Sequence, residues 1–196
     1  MKVIGLTGGM ASGKSTVANY LRELGYPIFD ADYRAKELTR PGSPCLAKVA
    51  VIFGERFLEN GVLNREKLAE HVFSDHKELA KLNELIHSEV WRVAQEFIAQ
   101  HKKLGAKMVI LDVPLLVQTG WHKRVDEVWA VVIPRDEQIK RAMARNGMSR
   151  EMAEKRLDSQ ISNEELLRYA HVVIDNSGSL VKTLEQVDKV LGVRCH

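Results

Sequence analysis

The sequence contains only two cysteines among its 196 residues, Cys45 and Cys195, and the second lies next to the C-terminus. A structural disulfide is therefore not expected, which suits a reducing cytosol. The sequence also lacks an apolar run long enough to cross a membrane. Met1 leads directly into an apolar stretch with the pattern of a strand, so no signal peptide is expected either. We expect a cytoplasmic protein without a membrane partner.

An excess of charge of one sign is also missing. The 29 basic and 26 acidic residues leave a formal net charge of +3, and the chain has no basic tract, heptad array or internal repeat. This pattern does not favour a nucleic-acid-binding surface. The hydrophobic content of 45% and the charged content of 28% are ordinary for one globular domain. We expect small-molecule partners, no nucleic acid and a monomeric chain.

Several nucleotide and metal motifs are absent. The chain has no Asn-Lys-x-Asp segment, which GTPases usually carry for guanine. The dinucleotide spacing G-x-G-x-x-G cannot be drawn through Gly5, Gly8, Gly9 and Gly13. No H-E-x-x-H segment and no metal-binding spacing of cysteine and histidine occurs. These absences argue against a guanine switch, a dinucleotide enzyme and a zinc site.

One nucleotide-binding motif is present in full. Residues 8–15 match G-x-x-x-x-G-K-[ST] and lie between a predicted strand and a predicted helix, which is the context the motif needs. Its glycines let backbone N–H groups surround phosphates, and the helix N-terminus adds positive potential. We expect Lys14 to bind the β- and γ-phosphates and Ser15 to supply a hydroxyl ligand to Mg²⁺. The predicted ATP-binding residues of this loop are Gly8, Gly9, Met10, Ala11, Ser12, Gly13, Lys14, Ser15 and Thr16.

Short apolar runs alternate with helical stretches, which predicts an α/β fold of three layers, with a five-stranded parallel sheet between helices, as in P-loop kinases. The predicted strands are Lys2–Leu6, Pro27–Phe29, Met108–Leu111, Glu127–Ile133 and His171–Ile174. The whole chain, 1–196, is predicted to be a single domain with two helical insertions. The last helix is predicted over Ser179–Leu191 and ends at Gly192.

The first insertion covers about residues 33–107 and contains no predicted strand. Its predicted helices are Cys45–Phe53, Asn64–Phe73, Lys77–Leu85 and Ser88–Lys103. The second insertion covers about residues 136–170, where Asp136–Arg145 and Ser149–Gln160 are predicted helices joined by the turn Asn146-Gly147. We expect the first insertion to bind substrate and the second to close over ATP as a lid.

Two carboxylates follow the second predicted strand. Asp30 and Asp32 would face the same side if the strand continued that far. A carboxylate at the end of a strand can accept a hydroxyl proton and direct the oxygen at a γ-phosphate, and we expect this role for Asp32 rather than Asp30. The alternative is that Asp32 only caps the following helix, and the two roles are compatible.

Three further groups are candidates for the site. Asp112 ends an apolar strand, where a carboxylate often reaches Mg²⁺ through water, although aspartate also ends strands as a turn former. Arg141 and Arg145 are four residues apart and share a helix face, so either could contact phosphate, or both could belong to a solvated face. His87 is predicted at a helix start beside the substrate insertion, where a capping or surface role is the alternative.

Seven segments occur in a specific order along the chain. They are the phosphate loop (residues 8–15), Asp30-Ala31-Asp32, Leu85-Ile86-His87, Asp112-Val113-Pro114-Leu115-Leu116, the spacing of Gln138, Arg141 and Arg145, Arg156 with Gln160, and Ile174-Asp175-Asn176-Ser177-Gly178. In this combination the chain resembles the dephospho-CoA kinase family nearly from end to end. Two positions depart from the family pattern: Ser88 stands where a proline is usual, and Gln118 stands where an acidic residue is usual.

The resemblance implies transfer of the ATP γ-phosphoryl group to the ribose 3′-hydroxyl of dephospho-CoA, with Mg²⁺, the last step of coenzyme A synthesis. It implies that Asp32 is the base, that Asn176 belongs to the adenine site, and that Arg141 or Arg145 contacts phosphate from the lid. We count His87 and Asp112 with Asp32 as substrate-binding candidates. Another small-molecule or nucleoside monophosphate kinase, or a non-catalytic nucleotide switch, remains as an alternative.

Overall fold

The computed structural model describes residues 1–192, apart from the side chain of Asn146, so Cys195 lies outside the described residues. The strands are β1 (Lys2–Thr7), β2 (Ile28–Asp30), β3 (Leu58–Glu59), β4 (Val62–Leu63), β5 (Met108–Asp112), β6 (Glu127–Val132) and β7 (Val172–Asp175). The helices are α1 (Lys14–Glu23), α2 (Ala31–Leu38), α3 (Pro44–Phe53), α4 (Arg65–Phe73), α5 (His76–Lys103), α6 (Arg135–Asn146), α7 (Arg150–Asp158), α8 (Asn163–Leu167) and α9 (Leu180–Leu191).

Five strands form one parallel sheet in the order β2-β5-β1-β6-β7. β1 lies at its centre, with Leu6 opposite Asp112 of β5 and Trp129 of β6. Helices α1 and α9 pack on the sheet through buried residues such as Leu21 and Val187. The predicted α/β class and the five predicted strands are confirmed, each strand to within one residue at either end. The apolar runs identified the strands because both faces of a covered parallel sheet are buried.

The chain divides into two compact units. The first comprises Met1–Phe29 and the chain from His101 onward, and the second comprises Asp30–Gln100. Within the first unit, α6 and α7 pack on each other through Ile139 and Leu157, on either side of a turn at Gly147 with φ +62°. None of the helices within residues 1–192 is long and apolar enough to cross a membrane. The predicted functional division into a substrate insertion and a lid stays a prediction.

The second unit is helical, with a core of Val49, Phe53, Phe57, Leu68 and Val72. The prediction that this region contains no strand is wrong, because β3 and β4 pair as an antiparallel hairpin. The hairpin turns at Asn60-Gly61, where both residues have positive φ. Strands of two residues are too short to show an alternation of apolar and polar positions, so only the turn is visible in the sequence.

Helix α5 is a single helix of 28 residues, and the prediction of two helices, Lys77–Leu85 and Ser88–Lys103, is wrong. His87 and Ser88 therefore lie inside a helix and not at a helix start. Ser88 Oγ donates a hydrogen bond of 2.9 Å to the carbonyl of Leu85, a contact that a helical serine makes without breaking the helix. No glycine or proline occurs within the helix to end it.

Candidate active site

The phosphate loop connects β1 to α1 and is held in a strained shape. Gly13 precedes the helix with φ +86°, and Ala11 has φ +58°, a region that residues with a Cβ atom seldom occupy. The loop is closed by a hydrogen bond from the Ser12 N–H to the Gly9 carbonyl (3.2 Å) and one from the Thr16 N–H to the Gly13 carbonyl (2.9 Å). The first turn of α1 therefore starts inside the loop, and the N–H groups of Lys14 and Ser15 are available to an anion.

The three glycines of the loop have no space for a side chain. A Cβ on Gly8 would lie 2.6 Å from both the Ser12 hydroxyl and the Val131 carbonyl. A Cβ on Gly9 would lie 2.8 Å from Gln138 Nε2, and one on Gly13 would lie 1.8 Å from Asn176 Nδ2. The loop needs glycine at these positions because neighbouring groups already occupy the volume.

Lys14 forms a salt bridge with Asp112, the last residue of β5. Both side chains are largely buried, with 16% and 10% of their surfaces exposed. The parallel register puts Asp112 opposite Leu6 near the carboxyl end of β1, so the strand end and the loop that follows β1 adjoin. The structure thus brings together two of the predicted site residues, a lysine and a carboxylate, at the edge of the sheet where ligands of such folds bind.

The residues present suit a magnesium ion held jointly with phosphate. Ser15 is exposed in the first turn of α1, and Asp112 supplies carboxylate oxygens at the neighbouring strand end. Within residues 1–192 no group of three or more acidic, histidine or cysteine side chains could hold a metal by itself. Mg²⁺ usually takes one or two protein oxygens and completes its shell with water and substrate phosphate, which is compatible with this pair.

Asn176 lies directly after β7 and its side chain is committed to the phosphate loop. Its Nδ2 donates to the carbonyl of Ser12 (2.8 Å), and its Oδ1 accepts from the hydroxyl of Thr183 (2.9 Å). Only 8% of the residue is exposed. The adenine contact predicted for Asn176 stays a prediction, whereas the support of the loop was not visible in the sequence.

The two predicted arginines have different surroundings. Arg141 is half-buried, pairs with Glu137 at 3.1 Å and donates to the carbonyl of Asn176 at 3.1 Å. Arg145 is exposed, and its side chain forms no hydrogen bond or ion pair with the part of the chain that the structure describes. One turn of helix therefore separates an arginine bound to the protein from one that can still bind a ligand.

The tip of the loop touches two glutamines that only the family resemblance indicates. Gln138 Nε2 donates to the carbonyl of Met10 (3.1 Å), and the Met10 N–H donates to Gln160 Oε1 (2.9 Å). These contacts join residues 128 and 150 positions apart in the chain. No local pattern could have indicated them.

In the second unit, the carboxylates of Asp30 and Asp32 do not share the strand face that the alternation predicted. β2 ends at Asp30 and α2 begins at Ala31, so Asp30 and Asp32 are not on one strand face. Asp30 is the N-cap, since its carboxylate accepts from the N–H of Tyr33 at 2.8 Å, and the capping role considered for Asp32 is therefore wrong. Asp32 is exposed, and its side chain makes no hydrogen bond or ion pair with residues 1–192.

Asp32 lies at the rim of a cavity of about 440 Å³ within the second unit. The floor is apolar and includes Val49, Leu68 and Leu82. Polar side chains at the cavity are Asp32, Lys36, Thr39, Arg65 and Asn83. The volume is within the usual range of small-molecule sites, about 300–1,000 Å³.

His87 is half-buried on α5 and is not one of the side chains that line this cavity, although Ile86 and Asn83 are. Burial lowers the pKa of His87 below the ordinary histidine value, because the charged imidazole would lose hydration. A substrate contact for His87 stays a prediction.

The comparisons with known proteins agree with each other. The pattern of the dephospho-CoA kinase family matches residues 2–182. A dephospho-CoA kinase of Carboxydothermus hydrogenoformans is 44% identical over 192 residues, which cover 97% of this chain and 93% of the relative. A crystal structure of a Thermus thermophilus protein is similar with a TM-score of 0.82 and 37% identity, covering 97% of this chain and 96% of that one. The dephospho-CoA kinase from Campylobacter jejuni has a TM-score of 0.73 and 26% identity, covering 97% and 95%.

Proposed function

Because the chain belongs to the dephospho-CoA kinase family, we propose that it transfers the γ-phosphoryl group of ATP to the ribose 3′-hydroxyl of dephospho-CoA. The products are CoA and ADP, and the reaction is the last step of coenzyme A biosynthesis. ATP is the co-substrate. We include in the proposal that the enzyme acts as a monomer in the cytoplasm.

The observation that carries the proposal is the salt bridge between Lys14, in a phosphate loop whose glycines have no space for a side chain, and Asp112 at the end of β5. A phosphate loop by itself specifies only the binding of phosphate. A buried lysine next to a carboxylate adds a cation for the β- and γ-phosphates and an oxygen ligand for the accompanying metal ion. When ATP enters, its phosphates compete with Asp112 for Lys14.

We assign Mg²⁺ to Ser15 and, through water, to Asp112. When bound, the ion would neutralise charge on the β- and γ-phosphate oxygens. The remaining chemistry belongs to the chain's own groups: Lys14 Nζ and the backbone N–H groups of Lys14 and Ser15, which are not bonded within the loop, orient the phosphates for in-line transfer.

The acceptor side of the proposal rests on the second unit. Asp32 is the exposed carboxylate at the cavity rim, while the carboxylate of the neighbouring Asp30 already caps α2. Asp32 Oδ would accept the proton of the 3′-hydroxyl while the hydroxyl oxygen bonds to the γ-phosphorus. At the same time the bond between the γ-phosphorus and the oxygen that it shares with the β-phosphate breaks, and ADP leaves. The apolar cavity floor suits the pantetheine arm of the acceptor, and the polar groups at the cavity suit its amides.

Arg145 is the better candidate for the contact with the transferred phosphoryl group. Arg141 already pairs with Glu137 and the Asn176 carbonyl, whereas Arg145 is exposed. An arginine that meets the phosphoryl group would stabilise charge that develops in the transition state.

An acceptor assay tests the proposal. The purified chain is incubated with ATP, Mg²⁺ and dephospho-CoA, adenosine or a nucleoside monophosphate, and the products are identified by mass. We expect a single added phosphoryl group on dephospho-CoA only, and its position on the 3′-oxygen can be read from fragmentation. Faster phosphorylation of a nucleoside monophosphate, or nucleotide binding without transfer to any acceptor, would overturn the proposal.

A further inference from the structure

Both main-chain polar groups of Met10, at the tip of the phosphate loop, are held by glutamine side chains. Gln138, in the first turn of α6, donates to the Met10 carbonyl at 3.1 Å. Gln160, two residues beyond the end of α7, accepts from the Met10 N–H at 2.9 Å. One residue of the loop is thus bridged to two helices that follow it by more than a hundred positions.

Apolar packing reinforces these two hydrogen bonds. Met10 and Ala11 pack against the buried cluster by which α6 and α7 contact each other. The members of that cluster are Ile139, Ala142, Ala153 and Leu157. The tip of the loop is therefore part of the interface between the two helices rather than a free turn.

The Gln138 side chain packs closely against the loop residues Gly9 and Met10. Gln138 is only 5% exposed, so its amide would be left buried and unpaired without the Met10 carbonyl. The same amide nitrogen fills the position that a side chain on Gly9 would occupy, at 2.8 Å from an added Cβ. The Gln138 amide can therefore reach the loop only because residue 9 has no side chain.

We propose that Gln138 and Gln160 are positioning residues that latch the phosphate loop to α6 and α7. The latch keeps Ala11, with its φ of +58°, in the shape that points the following N–H groups at phosphate. It also fixes the near ends of α6 and α7, so that closure over ATP is restricted to their far ends around Gly147. The inference rests on the proposed binding of ATP at this loop.

The two glutamines have opposite hydrogen-bonding roles, and this gives a sharp test. Gln160 accepts, so Gln160→Glu keeps the bond to the Met10 N–H. Gln138 donates, so Gln138→Glu puts a carboxylate against the Met10 carbonyl. Both variants add the same charge beside the same residue, and the difference between them therefore reports the hydrogen bond. We expect the dissociation constant for ATP, measured by calorimetry, to be about tenfold higher for Gln138→Glu than for Gln160→Glu.

Two controls separate positioning from folding. Asn163 Nδ2 donates to the Ile133 carbonyl at 2.8 Å, which is the same kind of bond outside the loop, so Asn163→Asp should lower the melting temperature without changing ATP affinity. Gln138→Met, which adds no charge, should raise the KM for ATP while the KM for dephospho-CoA and kcat change less than threefold. Activity is expressed per folded protein.

Each outcome of the test has a distinct meaning. If the unaltered chain does not bind ATP, the proposed function fails. If it does bind ATP, but the two Gln→Glu variants bind it equally well, the latch is overturned. The latch is also overturned if Gln138→Met lowers only the melting temperature and leaves the KM for ATP unchanged.

Discussion

The side-chain amide of Asn176 occupies the space that a side chain on Gly13 would need. A Cβ on Gly13 would come within 1.8 Å of Asn176 Nδ2, and the amide donates from that position to the Ser12 carbonyl at 2.8 Å. The end of β7 and the start of α1 are therefore complementary in shape, although Ser12 and Asn176 are 164 residues apart.

Gly13→Ala should abolish ATP binding and destabilise the fold, since alanine must adopt φ +86° and displace Asn176. Gly25→Ala is the matched control, because Gly25 has φ +84° and nothing within 4 Å of an added Cβ. The backbone penalty alone is about 1–2 kcal/mol. Chemical unfolding should show that the free energy of unfolding falls by that amount for Gly25→Ala and by more for Gly13→Ala. An equal decrease in both variants would mean that the Asn176 contact has no effect.

Asn176→Asp should weaken ATP binding, because a carboxylate would replace the amide that donates to the Ser12 carbonyl. We expect the free energy of unfolding to fall by about 1–3 kcal/mol, the cost of an unpaired buried group. Asn163→Asp is the control, since Asn163 Nδ2 donates to the Ile133 carbonyl at 2.8 Å. It should lower stability while calorimetry detects unaltered ATP affinity. A normal affinity for the Asn176 variant as well would refute its support of the loop.

Arg145→Ala should lower kcat by about 10²–10³-fold, a typical cost of removing one donor that stabilises transition-state charge. Its stability should change by less than about 0.5 kcal/mol, because the side chain is exposed. Arg141→Ala should instead lower stability by about 1 kcal/mol through the lost hydrogen bond to Asn176. Steady-state kinetics and urea unfolding of both variants measure the contrast. A normal kcat for Arg145→Ala would remove Arg145 from the mechanism.

His87 should make the protein less stable as the pH falls below about 6.5. Burial lowers its pKa in the folded state, so between the folded and unfolded pKa values the unfolded chain binds more protons. The associated stability is present above the unfolded pKa and decreases as the pH falls towards the folded one. Urea unfolding at pH 7.5 and 5.5 should show a smaller pH dependence for His87→Gln than for the original chain. His76→Gln, at an exposed position, is the control. An identical pH dependence in all three proteins would contradict the prediction.

Much of the sheet could be predicted from the sequence, because a strand buried on both faces, such as β6, is a continuous apolar run. The phosphate loop could be predicted because its chemistry requires a fixed local spacing. Helix α5 was predicted as two helices, although the segment contains no glycine or proline that would end one. Local pattern was sufficient wherever neighbours in the chain determine the structure.

The rest of the site depends on contacts between distant residues. Whether Asp30 or Asp32 caps α2 depends on where β2 ends, and the alternation of side chains does not determine that point. The hydrogen bonds from Gln138 and Asn176 to the loop depend on how α6 and β7 pack beside it. The local sequence does not reveal such contacts, because a polar residue that bonds a distant segment occupies the same kind of position in the pattern as one that faces solvent.

The most direct test of phosphoryl transfer assisted by Asp32 is a comparison of Asp32→Asn with Asp30→Asn. Both variants remove one negative charge, and asparagine caps a helix about as well as aspartate does, so the second should remain stable. With ATP and dephospho-CoA, we predict that kcat falls by about 10²–10⁴-fold for Asp32→Asn, a typical contribution of a general base. ATP affinity should stay nearly unchanged, and Asp30→Asn should turn over almost normally. Turnover of Asp32→Asn close to that of the original chain would contradict the account.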